Sequence, residues 1–460
     1  MTRPVQSIHG QWGSRWAFIL AATGSAVGLG NIWKFPYIVG EYGGGAFVLV
    51  YLACIALIGL PLLMSEILIG RRGRQNPINT LNSLAKEENR SKSWRLLGGM
   101  GIITGFLILS YYSVIAGQAL AYVPRAFSGV FEGITADGAH SIYTVLSSDA
   151  EKLLAWHTVF MLMTTIVVIR GVQHGLEKSV RFMMPALFLM LVMLVGYAAN
   201  TGSYFQQALD FLFKADFSKL TPTGILTAMG HAFFTLSLGM GAIMVYGSYL
   251  SQKASILKVS ISIAVLDTTV ALLAGLAIFP LVFANNLSPT VGPSLVFETL
   301  PIAFGHMPGG DIFGGLFFVL LVFAAWSSAI SLIEPIVAWL TENYGMTRIR
   351  AASLAGITIW LFGLLPLFSF NIAQHWTLFN LNIFKLLDYL TANIMLPLGG
   401  LMIALFAGWA MRKNSTRDEL ALGDSLLGRL GYHGWRFVIR FITPTAVIII
   451  FANLIGLLNP

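Results

Sequence analysis

Of 460 residues, 56% are hydrophobic and only 10% are charged, against about 25% charged in an ordinary soluble domain; so few charges cannot cover an aqueous surface, which excludes a soluble globular protein. The formal net charge of +8 does not point to nucleic acid, because the basic residues fall in short loops between apolar runs, as cytoplasmic loops of membrane proteins do. The one cysteine, Cys54, sits in an apolar run and reads as a buried thiol, so disulfides within the chain and cysteine metal clusters are excluded.

About 20 apolar residues cross the hydrocarbon core as a helix. Runs of that kind predict eleven spans, near 12–38, 43–70, 96–124, 154–170, 179–199, 223–250, 256–284, 312–342, 349–369, 381–411 and 436–457. The first run has no secretory cleavage pattern and continues through Gly28 and Gly30 to Pro36, so it is read as a helix that stays in the membrane. The expected fold is an all-α membrane protein, with residues 1–460 forming a single transmembrane domain.

With the N-terminus placed inside, 22 of the 28 lysines and arginines fall on the inner side, including 7 from Arg71 to Arg95 and 6 from Arg412 to Arg440. Arg125, Lys152, Lys214 and Lys219 fall outside. The positive-inside bias thus predicts a cytoplasmic N-terminus and, with an odd number of spans, an extracytoplasmic C-terminus. The connections over 125–153, 200–222 and 285–311 read as extracytoplasmic loops. The mixed-charge stretch from Arg412 to Arg436 reads as an interfacial connecting helix.

Glycine interrupts two spans in similar ways, at Ser25-Ala26-Val27-Gly28-Leu29-Gly30-Asn31 in the first and Thr235-Leu236-Ser237-Leu238-Gly239-Met240-Gly241 in the sixth. Non-helical backbone survives at membrane depth only where protein, water or a ligand satisfies its amides and carbonyls. Two such breaks, five spans apart, point to an inverted-repeat transporter with its site between them. Glycines that only let helices approach closely are the plainer reading. Polar groups gathered around both breaks weigh against it: Asn31, Thr235, Ser237, Glu66 and Asp267 all lie within apolar spans. A carboxylate at the centre of a span costs at least about 2.5 kcal/mol to insert and so has a partner or a function.

At these residues the chain resembles the neurotransmitter:sodium symporters, whose bacterial members include a leucine transporter. The matching stretches are Gly24 to Pro36 (GSAVGLGNIWKFP), Glu41 to Phe47 (EYGGGAF), Gly59 to Gly70 (GLPLLMSEILIG), Phe233 to Tyr246 (FFTLSLGMGAIMVY) and Ala324 to Pro335 (AAWSSAISLIEP). The resemblance covers all the spans. It implies an inverted five-plus-five repeat, with repeats over about 12–199 and 223–411, helices 1 and 6 broken at mid-membrane, and an extra helix over about 436–457. The implied activity is sodium-dependent symport of an apolar amino acid by alternating access in a bacterial inner membrane. A sodium-dependent binding protein or channel-like receptor of the same fold is the alternative.

The resemblance also implies where ligands sit. It implies about two sodium ions held by hard oxygen ligands, with no organic cofactor. The first would use the carbonyls of Ala26 and Thr235 with Asn31, the Thr235 hydroxyl, Asp267 and the substrate carboxylate. The second would use the carbonyls of Gly24, Val27 and Ala324 with the hydroxyls of Ser327 and Ser328. Without the resemblance, paired serines in a membrane helix read as packing groups. The substrate carboxylate would meet the amides of Leu29 and Gly30 and the Tyr112 hydroxyl. Its ammonium would meet carbonyls of Ala26, Phe234 and Thr235 and the Ser237 side chain. Ile108, Tyr112, Phe234, Ser237, Met240, Ser328 and Leu332 would form the side-chain pocket. Met240, a flexible thioether between glycines, favours a range of larger aliphatic and aromatic substrates.

The implied outer gate is Tyr112 against Phe234 beneath a Lys34–Asp388 pair. The inner gate is Trp12 with Glu342, where His9 replaces the arginine expected to pair with that carboxylate. Gly175 and Pro185 bracket nine residues, a spacing found in family members whose fifth span unwinds; a proline kink is the plainer reading. Tyr51, His231, Thr235, Asp267 and Ala271 match the positions that hold chloride in animal members. Asp267 brings a carboxylate there, so chloride independence is expected. His231 is otherwise read as a structural hydrogen-bonding residue. No midchain histidine has metal-ligand spacing to another His, Cys or carboxylate, so an intramembrane enzyme is not expected. The expected partners are an amino-acid substrate and the lipid bilayer, with no nucleic acid.

Overall fold

The computed structural model describes residues 8–289, 295–422, 430–454 and 457, which are almost wholly helical. Arg3, residues 290–294 of the 285–311 connection, 423–429 of the stretch from Arg412 to Arg436 and the end of the last expected span lie outside the described residues.

The first span is a bent pair turned by 50° at the break between Ala26 and Gly30: α1 (Arg15–Ala26), then a wide helical turn over Gly30–Lys34 that leads into α2 (Phe35–Glu41). There follow α3 (Gly45–Gly73), the short α4 (Pro77–Glu87), α5 (Lys92–Phe127), α6 (Ala136–Ser148), α7 (Ala150–Ile169), α8 (Val172–Ala199) and α9 (Ser203–Phe213). Next, α10 (Pro222–Thr235) and α11 (Ala242–Ser248) flank a non-helical segment. The chain then runs through α12 (Ile256–Ala284), α13 (Thr299–Gly305), α14 (Gly310–Tyr344), α15 (Arg348–Phe368), α16 (Ile383–Ala410), α17 (Lys413–Ala421) and α18 (Gly431–Asn453). A two-residue hairpin, β1 (Thr377–Leu378) with β2 (Leu381–Asn382), precedes α16. Among the described residues nine helices are long and apolar enough to cross a membrane, and the bent pair makes ten.

Helix starts carry the side chains that orphan amides require. The Ser14 hydroxyl accepts from the Ala17 amide at 3.1 Å, Asn76 Oδ1 from the Ile78 and Asn79 amides at 3.0 and 3.2 Å, and the Thr221 hydroxyl from the Gly224 amide at 3.0 Å. Each such cap contributes about 1 kcal/mol. The most extensive helix pair is α5 against α14, and α7 and α15 pack on it to form one body. Close approach comes from glycine: a side chain at Gly105 of α5 would meet the Leu332 carbonyl of α14 at 3.2 Å. On the other side α1 lies against α12 and α14, and α11 lies along α3.

Three features depart from the sequence expectations. The connections read as loops contain the helices α6, α9 and α13, which are too short to register as spans. The fifth span starts at Val172, seven residues before the expected 179, because a wide turn over Val172–Glu177 carries the helix through the polar Gln173 and His174. The last span is under way by Gly431, five residues before the expected 436, while in the stretch before it the connecting helix α17 docks on protein, burying Thr416 and Glu419.

The docking of α17 is held by Arg71, whose side chain is fully buried. Its Nε donates to Glu419 Oε1 at 2.6 Å, one terminal nitrogen donates to the Ala254 carbonyl at 2.6 Å, and the other donates to the Glu419 carbonyl. Removing one partner of a buried ion pair leaves an uncompensated charge. Glu419→Ala is therefore expected to destabilise the protein by about 3 kcal/mol, read as a lower thermal midpoint in detergent. An unchanged midpoint would remove this pair from the account of stability.

Candidate functional site

At the first break the helix ends at Ala26 and Val27 turns extended, with φ −69° and ψ 105°. Ser328 on α14 places its hydroxyl 3.3, 3.2 and 3.2 Å from the carbonyl oxygens of Gly24, Ser25 and Val27. One hydroxyl carries one proton, so it satisfies at most one of these oxygens at a time. Ser237 donates to the Ser25 carbonyl at 2.8 Å. Ser327 donates to the Ala324 carbonyl at 3.1 Å and flanks Gly24, where an added Cβ would lie 3.1 Å from the Ser327 Cβ. Gly24, Val27, Ala324, Ser327 and Ser328 thus gather in one oxygen-rich cluster.

A second cluster forms around Asn31, which is fully buried. Its Nδ2 donates to Thr235 Oγ1 at 3.0 Å, the Asp267 carbonyl at 3.1 Å and Asp267 Oδ1 at 2.8 Å, while its Oδ1 accepts from the Gly28 amide at 3.1 Å. The Thr235 hydroxyl lies 3.2 and 2.9 Å from the two carboxylate oxygens of Asp267. Three elements, the first break, α10 and α12, therefore meet at Asn31, Thr235 and Asp267. Nearby, the His231 ring stacks on Phe35 and lies tilted against Tyr51, with centroids 5.9 and 5.4 Å away. Its nitrogens have no hydrogen-bond partner among the described residues, so the expected hydrogen-bonding role is replaced by aromatic packing.

The second break runs from Leu236 to Gly241, with left-handed backbone at Ser237 (φ +53°), Gly239 (+84°) and Gly241 (+77°). At Gly239 a side chain is barred twice, by that conformation and by the Leu396 carbonyl, 2.6 Å from where Cβ would sit. The freed Gly239 amide donates to Glu66 Oε1 at 2.6 Å, which gives this carboxylate at mid-span its partner.

Between the breaks lies a cavity lined by Ala26, Leu29, Gly30, Ile108, Tyr112, Phe234, Ser237, Met240, Ser328 and Leu332, together with Ser25 and Gly28. Thr235 is not in its wall and faces Asn31 and Asp267 instead. The Leu29 amide donates to the Tyr112 hydroxyl at 3.2 Å. Ser25 and Gly28 were missed although both stand inside the GSAVGLGN stretch. A Cβ at Gly28 would meet the Ser328 and Tyr112 hydroxyl oxygens at 2.6 and 2.9 Å, so only glycine admits them there.

Leu29, Gly30, Tyr112 and Phe234 also wall a larger cavity of about 290 Å³ that reaches Lys34 and Asp388. Within it the Lys34 ammonium lies over the Phe234 ring, 4.9 Å from its centroid, and Asp388 accepts from the Tyr111 hydroxyl at 3.3 Å. Lys34 and Asp388 therefore share this cavity without forming an ion pair among the described residues. A lysine presents a point charge on a flexible stem rather than a guanidinium fork, and here it settles on the aromatic face.

At the opposite end His9 Nε2 lies 3.0 Å from Glu342 Oε1, both side chains buried, so the missing arginine is replaced by a shorter polar contact. Glu342 also accepts from the Asn76 amide at 2.8 Å and the Asn79 side chain at 3.2 Å. Trp12 donates its indole N–H to the Tyr246 carbonyl at 3.1 Å. Gly175 lies in the wide turn that opens α8, and Pro185 lies within that helix.

The profile of the sodium:neurotransmitter symporter family matches residues 9–136 and 139–460. The chain is 39% identical over 449 residues to an uncharacterized sodium-dependent transporter of Bacillus subtilis, YhdH, covering 98% of each. It is 33% identical over 450 residues to a sodium-dependent transporter of Haemophilus influenzae, covering 96% of this chain and 97% of that one. Among solved structures, MhsT in complex with L-phenylalanine is similar, with 43% identity and a TM-score of 0.88 over 96% of this chain and 99% of that one. These relatives are transporters and not enzymes. With a helical membrane architecture and two oxygen clusters at broken helices, the chain belongs to the sodium:neurotransmitter symporter family and is a sodium-dependent transporter.

Proposed function

We propose that the protein is a sodium-coupled symporter of larger apolar amino acids, aliphatic or aromatic, that works by alternating access and without chloride. The carrying observation is the cavity between the two breaks: it has an oxygen cluster on either side and no charged side chain in its wall. An amino-acid zwitterion brings both charges itself, and backbone ends neutralise them. The Leu29 and Gly30 amides and the Tyr112 hydroxyl take the carboxylate, near the positive end of a half-helix. Carbonyls of Ala26, Phe234 and Thr235 and the Ser237 hydroxyl take the ammonium. Ile108, Met240, Ser328 and Leu332 then face the substrate side chain. The phenylalanine bound to MhsT supports a substrate of this class.

Sodium is a co-substrate held by hard oxygen donors. The first ion is assigned to Ala26, Asn31, Thr235, Asp267 and the substrate carboxylate, the second to Gly24, Val27, Ala324, Ser327 and Ser328. The nine long helices and the bent first pair reach eleven spans when α10 and α11 are joined across their break. Alone, α10 reaches only about 21 Å. The spans form two inverted repeats, about 12–199 and 223–411, plus a last helix near 436–457. The N-terminus is cytoplasmic and the C-terminus extracytoplasmic in a bacterial inner membrane, in keeping with the lysine and arginine bias. Phe234 with Tyr112, under Lys34 and Asp388, closes the outer side; Trp12, His9 and Glu342 close the inner.

Binding of labelled amino acids, surveyed across all twenty with and without sodium, tests this reading. Leucine, phenylalanine or tryptophan should bind in sodium and weaken in potassium, and Asn31→Ala and Ser328→Ala should each raise the sodium concentration needed. Affinity undiminished in potassium would contradict the shared site. For size selectivity, Met240→Phe is expected to impair tryptophan more than leucine or valine, because a rigid ring replaces a thioether that re-packs. An equal loss for all ligands would take Met240 out of the pocket. For the anion, the Asp267 carboxylate stands beside Asn31 and Thr235 and supplies the negative charge that chloride provides in animal relatives. Uptake should be unchanged when gluconate replaces chloride, and Asp267→Asn should be inactive or newly helped by chloride. Collapse of wild-type uptake in gluconate at constant sodium would overturn this assignment.

A further inference from the structure

A groove of about 470 Å³ lies between the start of α5 and α16, well away from the cavity between the breaks. Its two ends differ in chemistry. Leu97 and Met100 of α5 with Leu398 and Met402 of α16 line the deep end, while Ser91, Ser93 and the Trp94 indole line the mouth. Trp94 is fixed edge-on against Phe406, ring centroids 5.0 Å apart. Lys92, between the lining residues Ser91 and Ser93, and Arg95, between Trp94 and Leu96, flank this lining at the start of α5, both exposed and in no ion pair among the described residues. The nearest carboxylates in sequence are already engaged: Glu87 pairs with Arg72 at 2.6 Å, and Glu88 lies 3.5 Å from Arg412. The start of α5 beside the groove therefore carries positive charge that neither of these carboxylates offsets.

Depth agrees with this polarity. At 1.5 Å per residue, Met100 lies about 12 Å along its helix from Lys92, and Met402 about 12 Å from the end of α16 at Ala410. Cations, serine hydroxyls and an indole thus sit at headgroup level, where tryptophan favours the interface, and the apolar end sits at acyl-chain level. We propose that this groove binds one anionic phospholipid, its phosphate against Lys92, Arg95 and the serine hydroxyls and an acyl chain along Leu97, Met100, Leu398 and Met402. Basic pockets between membrane helices take acidic headgroups in this way. Which leaflet supplies the lipid rests on the orientation proposed above; the binding chemistry does not.

The test uses the full-length protein in detergent, titrated with phosphatidylglycerol or with phosphatidylcholine of the same acyl chains, with bound lipid counted by native mass spectrometry. One phosphatidylglycerol should bind about thirtyfold more tightly than phosphatidylcholine, the weight of two basic residues at an anionic headgroup. Lys92→Gln with Arg95→Gln should remove that preference and leave phosphatidylcholine unchanged. Lys178→Gln with Lys253→Gln, exposed basic residues elsewhere, should keep it. Met402→Trp fills the deep end and should weaken both lipids; if it fails to fold, the exposed charge substitutions still decide. Equal affinity for the two lipids in the wild type, or a preference that survives the Lys92 and Arg95 substitutions, overturns the proposal. Transport is not read here, so failure of the symport reading leaves this result intact.

Discussion

Backbone that leaves helical geometry at membrane depth has to find partners for its amides and carbonyls, and around two such breaks this requirement organises the protein. An unmet buried polar group costs about 1–3 kcal/mol, so each break persists only where other helices supply what it lacks. Amides are provided for: Glu66 takes the Gly239 amide, Tyr112 the Leu29 amide and Asn31 the Gly28 amide. Carbonyls are not equally provided for. Around Gly24, Ser25 and Val27 the oxygens outnumber the protons that Ser237 and Ser328 bring. A cluster rich in lone pairs and poor in protons is short of positive charge, which a hard cation supplies without needing a donor. Such a cluster is in keeping with the sodium dependence of the family to which the chain belongs.

The two ends of the central path are built from different chemistry. Near Phe234 a single ammonium rests on an aromatic face, a contact of about 1 kcal/mol. At the other end His9, Asn76 and Asn79 converge on Glu342, and Trp12 is tied to the Tyr246 carbonyl. Beside it, Arg348 grips Glu334 with two bonds of 2.9 and 2.6 Å, and Tyr249 donates to the same carboxylate at 2.9 Å. Many buried polar contacts close the end at Glu342, while the cavity at Lys34 holds the cation–ring contact and one hydrogen bond of 3.3 Å from Tyr111 to Asp388.

Nine of the expected spans and the bent first one were legible because lipid demands long apolar runs, and the helix interruptions because glycine pairs stand where polar residues gather. The cavity residues followed from the motif, since Ala26, Tyr112, Phe234, Met240 and Ser328 all stand in one wall. What stayed hidden depends on distance rather than residue type. Lys34 and Asp388 look like a pair on paper, but a flexible lysine has a choice of partners and takes the ring. His9 departs from the family pattern, yet an imidazole reaches Glu342 because the chain before Trp12 runs close to it. The helices α6, α9 and α13 are too short to leave an apolar signature. The Arg71–Glu419 pair joins residues 348 positions apart, which no local pattern records.

The central claim is that substrate and sodium occupy one site and cross together. Counterflow and driven uptake in proteoliposomes address it most directly: vesicles are loaded with potassium, then given external sodium and labelled phenylalanine. The account predicts accumulation above the external concentration while the sodium gradient lasts, and collapse to equilibrium when sodium is made equal on both sides. Accumulation that ignores the sodium gradient, or binding in sodium with no uptake at all, would contradict it.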